Sequence, residues 1–227
     1  MRKMIEILVK DYKKVAGRLF SLISIIFTSA IYRYLNVYRG RVYHIPTVID
    51  SMIPFNKYFV IPYLGWYIYL GFFLFYYSVV DEKKYFKILW GINAGMMICY
   101  IIYYAFPTYV PRPEIHGNDV FDYLMRFVYN RDNPYNCFPS IHVFDAVLFG
   151  IYINRDNNLN IFTKIVSSST VILIIFSTFF VKQHYIYDAV SGIFIAWLIY
   201  ILFNYKEVIV KLQEKQAVYK LENKIGE

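Results

Sequence analysis

The chain has little of what a soluble or disulfide-bonded protein needs. Only 18% of its 227 residues are charged, where soluble domains carry about 25%. Two cysteines exclude a disulfide scaffold and any Cys-rich zinc module. Ten glycines and eight prolines, scattered along the chain, form no interdomain linker or low-complexity tract. No internal repeat is present. What is abundant is apolar: 58% of residues are hydrophobic and 21% aromatic. A core of this size cannot hide that much apolar surface, which excludes a water-soluble monomer. Disorder is excluded as well, since it needs low hydrophobicity. The net charge of +8 sits in short clusters between apolar runs, the pattern of a membrane protein rather than a nucleic-acid binder.

A helix needs roughly 20 mostly apolar residues to cross the hydrocarbon core. The windows 19–38, 58–80, 88–106, 138–153, 161–181 and 185–203 predict six spans, the fourth being the shortest and the most polar. The first run is too long for a cleavable signal, and no small-residue cleavage site follows it. Sixteen of the 24 basic residues fall on the side that holds both termini, the second–third loop and the fourth–fifth loop, so that side is expected to be cytoplasmic. The expected fold is all-α: a polytopic bundle of six transmembrane helices with cytoplasmic N- and C-termini. It divides into a basic amphipathic segment at 1–18 on the inner membrane surface, the membrane domain at 19–205, and a charged cytoplasmic helix at 206–227.

Ionisable groups inside spans are costly and point to function. Of four histidines, His44 and His116 lack a supporting pattern and read as interfacial side chains. His142, in NCFPSIHVFDAV, opens the fourth span, and His184, in VKQHYIYDAVSG, opens the sixth. A short inner loop and one intervening helix bring those two outer ends together. His184 and Asp188 are four residues apart, on one helical face. The carboxylate can fix one ring nitrogen and leave the other free to attack. Pro139 suits a first helical turn, which places Ser140 at a helix N-terminus able to hold an anion. His142 can protonate a leaving oxygen. After the third span, FPTYVPRPEIHGND sets Arg112 between two prolines, and a guanidinium suits phosphate oxygens. Lys182 offers a second positive charge. Together these are the parts of a phosphoryl-transfer site needing neither metal nor cofactor: an anion clamp, a nucleophile, its orienting base and an acid.

Other readings stand beside this one. His184 and Asp188 could be metal ligands, although a catalytic zinc wants three protein ligands. Arg112 could be an interfacial snorkelling residue, and intramembrane polar groups also line transport paths. The role of Asp145, one turn after His142, is open. Ser140 lacks the Gly-x-Ser-x-Gly elbow of a serine hydrolase.

The three segments resemble the type 2 phosphatidic acid phosphatase superfamily, whose blocks are Lys-x6-Arg-Pro, Pro-Ser-Gly-His and Ser-Arg-x5-His-x3-Asp. Here they read Arg112-Pro113, Pro139-Ser140-Ile141-His142, and Ser177-Thr178 followed by His184 and Asp188. The resemblance covers about 50–200, and CFPSIHV and KQHYIYDAVSG are most similar to the inositol phosphorylceramide synthase-like branch. It implies a phosphohistidine on His184, oriented by Asp188, with His142 as the acid and Arg112 and Ser140 holding the phosphate. It also implies a lipid phosphate substrate, no metal, and an outward-facing site in a bacterial cytoplasmic membrane. Water or a lipid alcohol would take up the phosphoryl group. The sequence departs from the pattern at Ala105, Ile141 and Thr178, so two cations are missing, one of which Lys182 is expected to replace.

Overall fold

The computed structural model describes residues 2–210 and 213, and among them the chain is helical with no strand. Two short amphipathic helices, α1 (Arg2–Lys10) and α2 (Tyr12–Phe20), lead into α3 (Ile23–Leu35). A short α4 (Val48–Met52) and a 3-10 turn (Lys57–Phe59) precede the long α5 (Val60–Val80) and α6 (Glu82–Ala105). Then come α7 (Val120–Arg131), α8 (Ile141–Asn154), α9 (Ile161–Phe180) and α10 (Ile186–Phe203). Residues 206–210 and 213 of the expected C-terminal helix are helical, and the rest of it lies outside the described residues.

Five stretches are long and apolar enough to cross a membrane: Tyr12–Leu35, Lys57–Val80, Glu82–Ala105, Ile161–Phe180 and Ile186–Phe203. The expected fourth span is different. Helix α8 has 14 residues, which at about 1.5 Å per residue gives roughly 21 Å, short of the ~30 Å hydrocarbon core. It begins late because Ser140, in extended backbone, caps it by accepting the Val143 N–H. It is apolar because protein surrounds it: Val143, Phe144, Ala146 and Leu148–Ile153 are buried, and α8 packs against α5, α6, α9 and α10. Hydropathy alone does not distinguish a core helix of this length from a span.

The two ends of the bundle are held differently. At one end, long basic side chains make ion pairs. Arg18 of α2 donates to Ser78 O and Glu82, Lys84 pairs with Asp156 at 2.7 Å, and Lys87 reaches Asn204 and Glu207. At the other end, four loops are tied by their backbones. Tyr43 N donates to Pro107 O, Asn56 N to Phe180 O, Val110 N to Pro134 O and Ser140 N to Asp188 O. Helix α7 covers part of this end and was not expected from the sequence. Its start is a capping box of Asp119 and Asp122, a pattern visible in DVFD. Lys57 bridges both carboxylates and holds Asp119 down to about 2. A lowered carboxyl pKa means the clamp is complete above the ordinary carboxylate range and is lost only in strong acid.

Helices α8 and α10 approach each other closely at Gly192. A Cβ on Gly192 would lie 2.7 Å from Ser140 O and 3.1 Å from Phe144 N, both backbone atoms. Gly192→Ala is therefore expected to force the helices apart and to cost about 1–3 kcal/mol, as overpacking does. Gly71→Ala, where a Cβ meets nothing within 4 Å, is the control. Thermal unfolding in detergent checks this: a large drop for Gly192→Ala and none for Gly71→Ala.

Candidate active site

Four chain segments meet at the loop-tied end: the start of α8, the turn between α9 and α10, the stretch after α6, and the upper part of α5. The segment Cys137–Ser140 is fixed first. Thr108 Oγ1 accepts the N–H groups of Cys137 and Phe138, at 2.9 and 2.8 Å. Tyr103 Oη donates to Pro139 O at 2.6 Å, and Ser140 N donates to Asp188 O at 2.9 Å. Opposite it, the α9–α10 turn is shaped by Thr178 O, which accepts from both Gln183 N and His184 N.

These restraints bring the two histidines together, with ring centroids 5.7 Å apart and the ring planes tilted by 59°. His184 is buried. Its Nδ1 lies 2.9 Å from Cys137 O and 3.4 Å from Asp188 Oδ2. A carbonyl only accepts, so Nδ1 carries the proton and, whenever the ring is neutral, Nε2 holds a free lone pair. Asp188 is fully buried. Its Oδ2 also accepts the Tyr185 N–H at 2.8 Å, so it caps α10 and lends negative charge to the imidazole. The nearer acceptor of the imidazole proton is the Cys137 carbonyl, which sequence spacing does not reveal.

His142 is held by shape. Tyr63 and Trp66 of α5 flank its ring at 4.6 and 4.7 Å, and among the described residues it makes no hydrogen bond. One histidine is thus locked in a tautomer while the other has both nitrogens open.

Arg112 reaches the same place. Its Nη1 donates to Asp132 O and Tyr129 O, and its Nη2 to Asn133 O at 3.1 Å and Gln183 Oε1 at 2.6 Å. The guanidinium lies over the Tyr129 ring and 3.5 Å from the Asp132 carboxylate. Burial raises the pKa of Asp132, with the Arg112 charge and bonds from Tyr32 and Asn36 pulling against it. Among the described residues the Arg112 Nε has no partner, and neither do the buried Trp66 Nε1 and Gln183 Nε2.

Ser140 caps α8 and is buried. Lys182 is turned elsewhere. It sits in left-handed backbone, φ 51°, and its ammonium donates to Asp50 O and Ile53 O at the end of α4. Burial lowers its pKa. The charge expected to fill a missing phosphate contact is thus engaged by two carbonyls. Asp50 Oδ1 accepts the Ile186 N–H at 3.0 Å, so α4 fixes the start of α10. His44, expected to be only interfacial, bonds the Tyr185 hydroxyl at 2.6 Å, while His116 is exposed beside Glu114. Asp145 is buried, with one oxygen unpartnered among the described residues. Among the described residues, no three His, Cys, Asp or Glu side chains converge as a metal-ligand group. Gln183, Asp132, Asp50 and Trp66 were not singled out from the sequence. Only Gln183, directly before His184, carried a signal there.

The model of a family described as the PAP2 superfamily matches residues 44–202. The match begins at His44 and takes in Arg112, both central histidines and Asp188. No curated protein and no solved structure matches the chain.

The geometry makes a spectroscopic prediction. In protein labelled with 15N-histidine at neutral pH, the uncharged form of His184 should show a protonated Nδ1 and an unprotonated Nε2. The opposite tautomer would contradict the bond to Cys137.

Proposed function

This chain belongs to the PAP2 superfamily, and we propose that it is an integral membrane lipid phosphate phosphatase that works without metal through a phosphohistidine. Superfamily members are phosphatases and phosphotransferases, which sets the broad chemistry. The observation that carries the finer reading is the pair of imidazoles 5.7 Å apart, one tautomer-locked and one unbonded.

In this mechanism His184 Nε2 attacks phosphorus in line with the lipid oxygen. The N–P bond forms as the P–O bond breaks, and the departing oxygen takes a proton from His142. The imidazolium formed at His184 is stabilised by Asp188 and Cys137 O. His142, now unprotonated, removes a proton from the incoming nucleophile, whose oxygen takes the phosphoryl group and frees His184. With water the product is inorganic phosphate. Arg112 steadies the charge on the phosphoryl oxygens, and the N-terminus of α8 at Ser140 faces the same charge. The apolar tail remains among the helices. The ion-paired end of the bundle carries Arg18, Lys83, Lys84, Lys87 and Arg155, which supports placing that end in the cytoplasm and the site at the outer face of a bacterial cytoplasmic membrane.

The second reading keeps the covalent histidine but moves a phospho-headgroup: His184 displaces the lipid alcohol of a phosphodiester donor, and a second lipid alcohol then takes the phospho-headgroup from His184 to form a new phosphodiester. The phrases CFPSIHV and KQHYIYDAVSG favour it through their similarity to the inositol phosphorylceramide synthase-like branch. A labelled donor supplied with alcohol acceptors separates the two by the appearance of a new phosphodiester.

Purified protein with chelator present is expected to release phosphate from lipid phosphates. His184→Ala should lower turnover by several orders of magnitude, since loss of the nucleophile disables the whole unit. His142→Ala should cost roughly 10²–10⁴-fold on an alkyl phosphate, the range of general acid catalysis. It should cost much less on p-nitrophenyl phosphate, whose leaving group needs no proton. Equal losses on both substrates would remove His142 from the acid role, and an active His184→Ala would end the covalent mechanism.

A further inference from the structure

The environment of Arg112 leaves two buried donors without partners among the described residues. A guanidinium has five N–H groups. The four on Nη1 and Nη2 face four acceptors: Asp132 O, Tyr129 O, Asn133 O and Gln183 Oε1. The fifth, on Nε, faces none and is buried. Arginine only donates, so the Gln183 atom facing it must be the oxygen. That fixes the carboxamide, and its Nε2 is left buried and unpartnered on a side chain whose residue is 2% exposed. An unsatisfied buried donor is costly in a native fold and points to a missing acceptor.

We infer that Gln183 is a further phosphate-holding residue, its amide N–H groups and the Arg112 Nε–H together donating to one substrate oxyanion beside His184. The inference rests on the proposed phosphoryl-transfer reading. The two side chains are bonded to each other, so their free donors belong to one place, and Gln183 is the chain neighbour of His184. Both free groups are donors, so the ligand must bring acceptors, as a phosphate does. A neutral amide also stands where the motif pattern leads one to expect more positive charge. Ala105 and Thr178 occupy the positions of the two absent cations, and Lys182 is bonded to α4. Thr178 contributes through its backbone: its carbonyl holds the turn that presents Gln183 and His184.

Gln183→Glu tests this directly. The variant keeps an oxygen for Arg112 Nη2 and replaces the amide donors with a second carboxylate oxygen. The variant also brings a negative charge beside Arg112, so the readout that a mere anchor of Arg112 would not move is, in the wild-type protein under added phosphate, the side-chain amide resonance of Gln183. As a phosphate donor, its loss should raise both the KM for p-nitrophenyl phosphate and the Ki for inorganic orthophosphate by roughly tenfold to a hundredfold. The unfolding temperature should stay within a few degrees. Unchanged KM and Ki would overturn the inference while leaving the phosphatase reading intact. Wild-type protein that neither turns over phosphate esters nor binds orthophosphate would overturn both. If Gln183→Glu does not fold, the wild-type protein suffices: the 15N side-chain amide resonances of Gln183 should shift as orthophosphate is added, with a midpoint matching the Ki. Resonances that do not move at saturating phosphate would refute the contact.

Discussion

The site depends on the short segment Cys137–Ser140 being immovable. Each end of it bonds to the start of α10: Cys137 O accepts from His184, and Ser140 N donates to Asp188 O. Thr108 and Tyr103 hold it from the other side. Breaking any of these bonds would leave a buried backbone group unpaired, which costs more than the bond contributes when formed. The segment therefore has one position, and the His184 ring has one orientation. Gly192 permits this arrangement, because only a residue without a Cβ lets α10 approach the α8 backbone so closely.

Much of the framework was legible in the sequence because the bilayer imposes length and hydropathy on a spanning helix. Five long helices follow from that constraint. It could not decide α8, where burial in protein and burial in lipid select the same residues. Helix α7 was missed because a short helix of 12 residues has neither a span's hydropathy nor a linker's composition, although its Asp119–Asp122 box was readable. The site was legible in the four-residue spacing that brings His184 and Asp188 together, although His184 lies in the turn before α10 and not on a face of that helix. It was not legible where a backbone atom does the work. Cys137 O, Asp132 O and Thr178 O have no side-chain signature, and no spacing rule would have placed them.

Lys182 shows the same limit from the other direction. A lysine two residues before His184 suggests a phosphate contact on charge alone. The turn gives it left-handed backbone, which for a residue with a Cβ costs roughly 1–2 kcal/mol. Its ammonium bonds two carbonyls of the α4 region, and these contacts offset that strain. The charge closes the turn against α4, on which Asp50 also caps α10. Its contribution to the site is to hold the chain in place.

In the proposed mechanism this leaves the phosphate-binding charge concentrated on Arg112, and the physics of a half-buried site explains how one guanidinium can suffice. Taking each further cation out of water costs several kcal/mol unless a counter-charge follows it. Asp132 already fills that role for Arg112. A second cation would need a second carboxylate, which would compete with the substrate for both. Neutral donors avoid that penalty, and backbone carbonyls that fix Arg112 in advance reduce the reorganisation needed when charge develops on phosphorus. A site built this way gains its hold on an anion from the direction of its donors more than from their number of charges. Such a site requires its few donors to be aimed before the substrate arrives, and the carbonyls around Arg112 and the amide of Gln183 do the aiming.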